Sequence, residues 1–429
     1  MSSSEAPPPP PSNPLIRWSQ VFLLFVLNIS CSLIWLIYTP VADASTSYFS
    51  TSLTTINWIN NVYILSFLPG SICSAILLDS YGIRKTVLFG SFFQFVGAGL
   101  CYGGSFISNP TGKIVLAFIG EAFAGFSQPS FLDACPKLST IWFAPEERAI
   151  PTACSTIGNP IGGAVAFLLV PAILLGYTCG TFALFAISAV ACIEPKQLAS
   201  VQAKDAEVSF KTAFMKCVKL RLFWQLAATM AIGTAVFSNI TSYLNQIMSP
   251  YGYSADDTGT MGAVLVFSGV IATFMFGYLA DRSRRHALIL KLNSSFMVVS
   301  YLFFALIFNR PNILPVLVVS CFFIGVFTVG SLPVFLDMIV AVTRKDGVGE
   351  GVSMALLWGT AQLLVVIFSV IWDRTRTVDQ EYPAVPWIVF GSCLVGAIPT
   401  LLYPLRSDMR ELEVLEKLAQ QDVKRPEGL

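Results

Sequence analysis

Twelve apolar stretches run along the 429-residue chain, separated by short polar turns. Each is near the roughly 20 residues that a bilayer's hydrocarbon core demands of a helix. They fall at 18–38, 56–78, 86–105, 113–137, 149–174, 177–193, 222–247, 259–280, 288–308, 313–342, 351–372 and 386–405. Lipid offers the backbone no hydrogen-bond partner, so each is expected to be a membrane-spanning helix. The sixth is short, and the turn before it, around Gly176, is nearly absent. The longest polar stretch between spans, 194–221, carries Lys196, Lys204, Lys211, Lys216, Lys219 and Arg221 and is read as a cytosolic linker. It divides the chain into bundles at 18–193 and 222–405. Residues 1–17, with the proline run Pro7 to Pro11, are read as a disordered tail. Residues 406–429 are read as a cytosolic tail, in which Met409 to Gln421 alternates Leu and Glu at helical spacing. The expected fold is an all-α membrane protein of twelve transmembrane helices in two pseudo-symmetric six-helix bundles.

The two halves echo one another. Asp79-Ser80-Tyr81-Gly82-Ile83-Arg84-Lys85 and Asp281-Arg282-Ser283-Arg284-Arg285-His286 occupy matching turns, their acids 202 residues apart. Pro129-Ser130-Phe131-Leu132-Asp133 returns as Pro333-Val334-Phe335-Leu336-Asp337, 204 residues later. A repeat of this size marks a duplicated bundle, the architecture in which carriers place a site between two rocking halves. The turn acids can cap a neighbouring helix N-terminus, and the turn arginines can pair with acids at other helix ends. Asp79, Arg84, Asp133, Asp281, Arg285 and Asp337 are therefore read as a latch that holds one packing of the halves. The plainer alternative is that the basic residues only anchor the turns on one side of the membrane.

Composition agrees: 55% of residues are hydrophobic and 12% charged, with mean hydropathy +0.69. Soluble domains carry about 25% charged residues. The net charge of +1 gives no electrostatic footprint for nucleic acid. With the amino terminus inside, only Lys113, Arg310, Arg374 and Arg376 of the 26 basic residues fall outside, so both termini are expected in the cytosol. The ten cysteines form no C-x-x-C pair, and the single histidine, His286, belongs to a turn. No cofactor, metal or haem site is expected.

Polar residues inside spans should face a cavity or another helix. Span one carries Asn28, Ser32 and Trp35; span five Thr152, Ser155, Thr156 and Asn159; span seven Ser238, Ser242 and Asn245. Glu121 and Gln128 share a face of span four, and span eleven has Trp358 and Gln362. For the small residues, helix packing is the plainer reading. It is weaker for Asn159, Gln128 and Gln362, because a buried amide has several hydrogen bonds to satisfy. No Lys or Arg lies at mid-depth, which speaks against an anionic solute. Glu121, left without a cationic partner, would attract a cation or carry a proton; a merely structural Glu is the alternative.

Gly277-Tyr278-Leu279-Ala280-Asp281-Arg282-Ser283-Arg284-Arg285 resembles the signature loop of the major facilitator superfamily, although the first copy has Ala75 for the leading Gly and Ser80 for the first Arg. That resemblance implies two six-helix bundles around a central cavity, with alternating access. Further stretches resemble the feline leukaemia virus subgroup C receptor-related family, solute carrier family 49, and within it the member A3-like group. They include Trp35 to Asp43, Ile56-Asn57-Trp58, Val62-Tyr63 and Trp142 to Ala149. Gly158 to Gly162, Leu244 to Ile247 and Ala361-Gln362 complete them. This implies choline and ethanolamine, or vitamin-like amines, as substrates, held in part by an aromatic cage; haem has also been proposed for the family. The span-one Trp of the family falls on Trp35, its span-four Gln on Gln128 and its span-eleven Gln on Gln362. Its span-seven aromatic falls on Ser238, with Phe237 beside it. Glu121 and Trp358 stand where relatives carry amides.

Together these readings describe a carrier of a small neutral or cationic organic solute, an amine of the choline or ethanolamine type being favoured. Trp35, Gln128, Asn159, Trp358 and Gln362 would line the site, with Glu121 tuning its charge. The expected partners are that solute and the lipid bilayer, without nucleic acid; the chain is expected to be a monomer in the plasma or an endolysosomal membrane. The alternatives are a proton-coupled carrier of another metabolite, with Glu121 as proton carrier, and a non-transporting membrane receptor or scaffold. No nucleophile–base pair, phosphate loop or metal constellation suggests an enzyme.

Overall fold

A computed structural model describes residues 13–38, 42–143, 147–168, 192, 210–377 and 381–404. Among them the first half holds α1 (Pro14–Trp35), α2 (Ala42–Phe49), α3 (Leu53–Tyr81), α4 (Ile83–Gly104), α5 (Pro110–Ser127), α6 (Pro129–Leu132), α7 (Ala134–Trp142), α8 (Ala149–Thr156) and α9 (Gly158–Leu168). The second holds α10 (Phe210–Lys219), α11 (Arg221–Met248), α12 (Ala255–Ser283), α13 (His286–Ile307), α14 (Leu314–Val329), α15 (Leu332–Lys345), α16 (Glu350–Thr375) and α17 (Val385–Leu401). No strand occurs among the described residues. Eight helical segments are long and apolar enough to cross a membrane, or nine if α10 and α11, bent by 83° at Leu220, count as one span. Helices coincide with every expected span that falls on described residues. Span six apart from Cys192, the end of span five, most of the linker, residues 1–12 and the C-terminal tail lie outside them; residues 14–17, read as disordered tail, form the first turn of α1 instead.

Local chemistry sets the helix ends. Asn13, Ser52 and Asn109 accept backbone N–H groups at the starts of α1, α3 and α5, and Pro follows at the first turn of α1 and α5. Ser254 and Asp257 cap α12 reciprocally, at 2.9 and 3.2 Å. The duplicated turns differ in backbone. Gly82 joins α3 to α4 at φ 86°, whereas its counterpart 202 residues on, Arg284, sits left-handed at φ 56°. A side chain in that conformation costs about 1–2 kcal/mol, which Gly avoids.

The repeated Pro-x-Phe-Leu-Asp segments mark helix breaks. Pro129 separates α5 from α6, and the corresponding Pro333 follows the interruption between α14 and α15 at Gly330 and Ser331. A proline removes an N–H and crowds the preceding turn, so both spans bend where the repeat places it. Across the halves, α3 packs along α16, and α12 packs against α8 and α9. Large apolar side chains on the outer faces, among them Ile271, Phe296, Val299 and Val395, are exposed as a lipid-facing surface requires.

Candidate functional site

Two sets of polar contacts hold the halves together, at opposite ends of α3. Asn57 and Asp79 are 22 residues apart on that helix, about 33 Å at 1.5 Å per residue. At the Asp79 end, the carboxylate accepts the Gly351 and Val352 N–H groups at 3.1 and 3.3 Å, capping α16. Lys137 on α7 lies between Asp79, at 3.9 Å, and Glu350, at 3.8 Å. Glu350 also pairs with Arg344 and accepts from Thr140 at 3.0 Å. Arg148 donates to the Phe143 and Thr140 carbonyls and stands within electrostatic reach of Asp337, which also faces Asp281.

At the Asn57 end the contacts across the halves run through an amide, with Arg376 beside Asp373 and Tyr382. Asn57 donates to Asp373 at 3.3 Å and accepts from Gln246 at 3.4 Å. Tyr243 donates to Asp373 at 3.4 Å, and Tyr382 donates to Gln246 at 3.2 Å. Burial pushes the Tyr382 phenol up to about 12, so it keeps the proton it donates.

The latch expected from the sequence is thus differently partnered. Arg84 and Arg285 are exposed. Asp133 is fully buried, and neither of its oxygens is in hydrogen-bond geometry. Asp79 is held by a helix N-terminus and a lysine instead. Lys137, on α7 of the same half as Asp79, lies 3.9 Å from it and reaches Glu350 across the halves. Sequence reasoning missed Lys137, Arg148, Arg344 and Glu350, and the whole Asn57 end. The signal for Glu350 was there: an acid at the first position of a span, where a helix dipole favours it.

Between the two ends lies a cavity with about 700 Å³ of space between its walls, part of it open to solvent. Trp35, Asn159 and Trp358, all named from sequence, line it. Phe237 and the polar positions Thr156, Thr234, Ser238, Thr241 and Thr328 do as well. Among the described residues lining it, none is ionisable. Asn159 owes its place to its neighbours: a Cβ at Gly158 or Gly162 would overlap the Phe25 or Ile29 carbonyl of α1, so α9 lies tight against α1. Trp35 stacks on Tyr63, ring centroids 6.5 Å apart.

Gln128, Gln362 and Glu121 are not on the wall of this cavity. The reason lies in the packing of α5. Gly120 meets Gly97 and Cys101 of α4, and Gly125 meets Tyr63 of α3, so the face carrying Glu121 is enclosed. Glu121 is 1% exposed, close to Cys101 and Tyr38. One property does unite the six residues: each has a buried polar atom without a hydrogen-bond partner. They are Trp35 Nε1, Trp358 Nε1, Asn159 Nδ2, Gln128 Oε1, Gln362 Oε1 and both Glu121 carboxylate oxygens. Buried groups of this kind are rare and call for a partner. Three of them, Trp35, Trp358 and Asn159, are residues of the cavity wall.

The sequence profile described as Major Facilitator Superfamily matches residues 21–368. Solute carrier family 49 member A3 of Xenopus tropicalis is 25% identical over 388 residues, covering 86% of this chain and 80% of that protein. Its namesake from Danio rerio is 27% identical over 378 residues, 84% of this chain and 79% of that protein. The choline/ethanolamine transporter FLVCR1 of Mus musculus is 26% identical over 461 residues, 97% of this chain and 80% of that protein. The matched family and these relatives are transporters, not enzymes, and the chain is an integral, multi-pass membrane protein.

Proposed function

Because the chain belongs to the Major Facilitator Superfamily, we propose that it carries a small neutral or cationic organic solute, an amine of the choline or ethanolamine type, by alternating access. The observation that carries this reading is the cavity wall: two indoles, the Phe237 ring and hydroxyl and amide groups, with no ionisable side chain among the described lining residues. A carboxylate or phosphate entering such a site would lose its hydration without gaining a cation. A quaternary or primary ammonium can instead lie on the indole faces, an attraction of about 2 kcal/mol or more once desolvated. The unpartnered donors of Trp35, Trp358 and Asn159 suit an oxygen on the same solute. The choline/ethanolamine transporter similar to this chain supports the same class.

In this reading twelve helices form two six-helix bundles, 18–193 and 222–405, joined by the 194–221 linker. Both termini and the Asp79 end face the cytosol, and the chain works as a monomer in the plasma or an endolysosomal membrane. The bundles rock about the cavity, the Asp79 ties closing one mouth and the Asn57 ties the other. The test is uptake of labelled choline by proteoliposomes containing the purified chain, with ethanolamine and pyridoxine as competitors. Saturable uptake that Trp35→Ala or Trp358→Ala removes supports the reading; no uptake above empty liposomes overturns it.

Glu121 favours a second reading, a proton-coupled carrier, because a buried carboxyl with both oxygens unpartnered is placed as a proton site would be. It requires flux driven by a proton gradient and lost in Glu121→Gln.

A further inference from the structure

Thr234, Thr328 and Leu332 line the central cavity and also a smaller one, with about 300 Å³ of space between its walls, part of it open to solvent, lined by α11, α13 and the break between α14 and α15. The hydroxyl and amide groups of this side chamber are nearly all spoken for. Thr229 donates to the Gly396 carbonyl at 2.5 Å, Ser294 to the Leu290 carbonyl at 2.8 Å, and Thr328 to the Tyr301 hydroxyl at 3.2 Å. Asn293 donates through Nδ2 to the Phe327 carbonyl at 2.6 Å and to Ser331 Oγ at 2.8 Å. The Phe327 carbonyl can only accept, so it fixes which end of the amide is nitrogen. Asn293 Oδ1 is left buried with no donor, on a residue 2% exposed.

We propose that the side chamber is a hydroxyl subsite: the solute is an amino alcohol whose ammonium group rests on the aromatic faces of the central cavity while its O–H donates to Asn293 Oδ1. The inference rests on the amine reading above and adds the second half of the recognition. The alternative orientation, ammonium in the chamber, would have the Phe335 ring alone and no acid, whereas both indoles, the stronger cation–π partners, lie in the central cavity. A carboxamide oxygen with both amide hydrogens engaged elsewhere is a fixed acceptor, suited to a single donor such as an alcohol. Thr234, Thr328 and Leu332 form the common wall past which the hydroxyl arm must reach.

The experiment compares alcohols with their hydroxyl-free analogues as competitors of labelled choline in proteoliposomes: choline against ethyltrimethylammonium, and ethanolamine against ethylamine. The wild-type chain should favour each alcohol by about tenfold, the worth of one buried hydrogen bond. Asn293→Leu removes the acceptor, and Gly233→Ala puts a methyl group in the chamber. A Cβ at Gly233 meets nothing closer than Met297 Sδ at 3.5 Å and Thr328 Cγ2 at 3.9 Å, so this variant folds even if Asn293→Leu does not. Both should bring the preference to near unity while leaving the potency of the hydroxyl-free amines unchanged. A preference that persists in Gly233→Ala overturns the subsite, as does a wild type that does not tell the pairs apart; the chamber would then hold structural water. If no amine competes with any variant, the amine reading itself has failed and the subsite falls with it.

Discussion

Replacing Asp79 by Asn keeps the shape of the tie between the halves and removes its charge. Asp79 accepts two backbone N–H groups at the start of α16 and faces Lys137 at 3.9 Å. An asparagine has one acceptor oxygen, so one of the two N–H groups loses its partner and the other keeps a neutral bond. Charge-assisted bonds contribute about 1.5–3 kcal/mol each and neutral ones about 0.5–1.5 kcal/mol, so exchanging two of the first for one of the second loses about 3.5 kcal/mol. The favourable field of the α16 dipole on the carboxylate adds about 0.3–1 kcal/mol. Lys137 keeps Glu350 at 3.8 Å, so its own loss is small. The sum is about 4 kcal/mol, on the order of a thousandfold in the equilibrium between closed and open forms of the Asp79 end. Distances between spin labels at Tyr81 and Leu288, exposed beside the two charged turns, report that equilibrium. The labels would be placed in a chain whose half-buried Cys73 and Cys154 are replaced by Ser, together with Cys179, which lies outside the described residues; the remaining cysteines are buried. Asp79→Asn should convert a single short distance into a population dominated by a longer one. An unchanged distribution in folded protein would refute the idea that Asp79 latches the halves.

Trp358→Ala should raise the half-saturating concentration for choline about thirtyfold, the equivalent of about 2 kcal/mol of cation–π attraction, in concentration-dependent uptake. Asp373→Ala removes the acid on which Asn57 and Tyr243 converge, and labels at the Asn57 end should separate while those at the Asp79 end do not. Gly325→Ala should cost about 1–3 kcal/mol of stability, because the new methyl would meet the Leu265 carbonyl and Ser268 Oγ of α12; a lowered unfolding temperature in detergent checks this. Glu121→Gln should leave choline uptake intact, since Glu121 is off the cavity wall; loss of a gradient-driven component would favour proton coupling.

Helices and repeat were legible because the bilayer imposes a length and because a duplication repeats its breaks. Pro129 and Pro333 recur 204 residues apart, and the structure interrupts a helix beside each. Trp35, Asn159 and Trp358 were legible on the strength of their chemistry. Glu121 and Gln128 show where that logic stops. Helical spacing tells which residues share a face, but the neighbour covering that face is set by contacts with other helices, tens of positions away. Gly97, Gly120 and Gly125 decide it here, by letting α3 and α4 close on α5. Span seven makes the same point in a milder form. Ser238, Ser242 and Asn245 were read as its cavity stripe, yet Thr234, Ser238 and Thr241, offset by part of a turn, form the wall. Asn293 was not singled out, although the argument applied to Asn159, that a buried amide needs several partners, applied to it equally.

The two mouths are closed by different chemistry, and that difference bears on the transport cycle. At the Asp79 end, two basic residues and two acids meet backbone donors within a largely buried site. Breaking one such partner is costly, since the charge left behind stays buried, and several must part together. At the Asn57 end, amides, phenols and Arg376 surround a single carboxylate, and each bond lost can be replaced by water as the mouth opens. The two bonds that Asn57 makes across the halves can yield one at a time, whereas the cluster at the Asp79 end yields as a unit. A solute bound between the mouths must therefore supply more of its binding energy to open the Asp79 end than the other. The unpartnered donors of Trp35, Trp358 and Asn159 are where that energy is available.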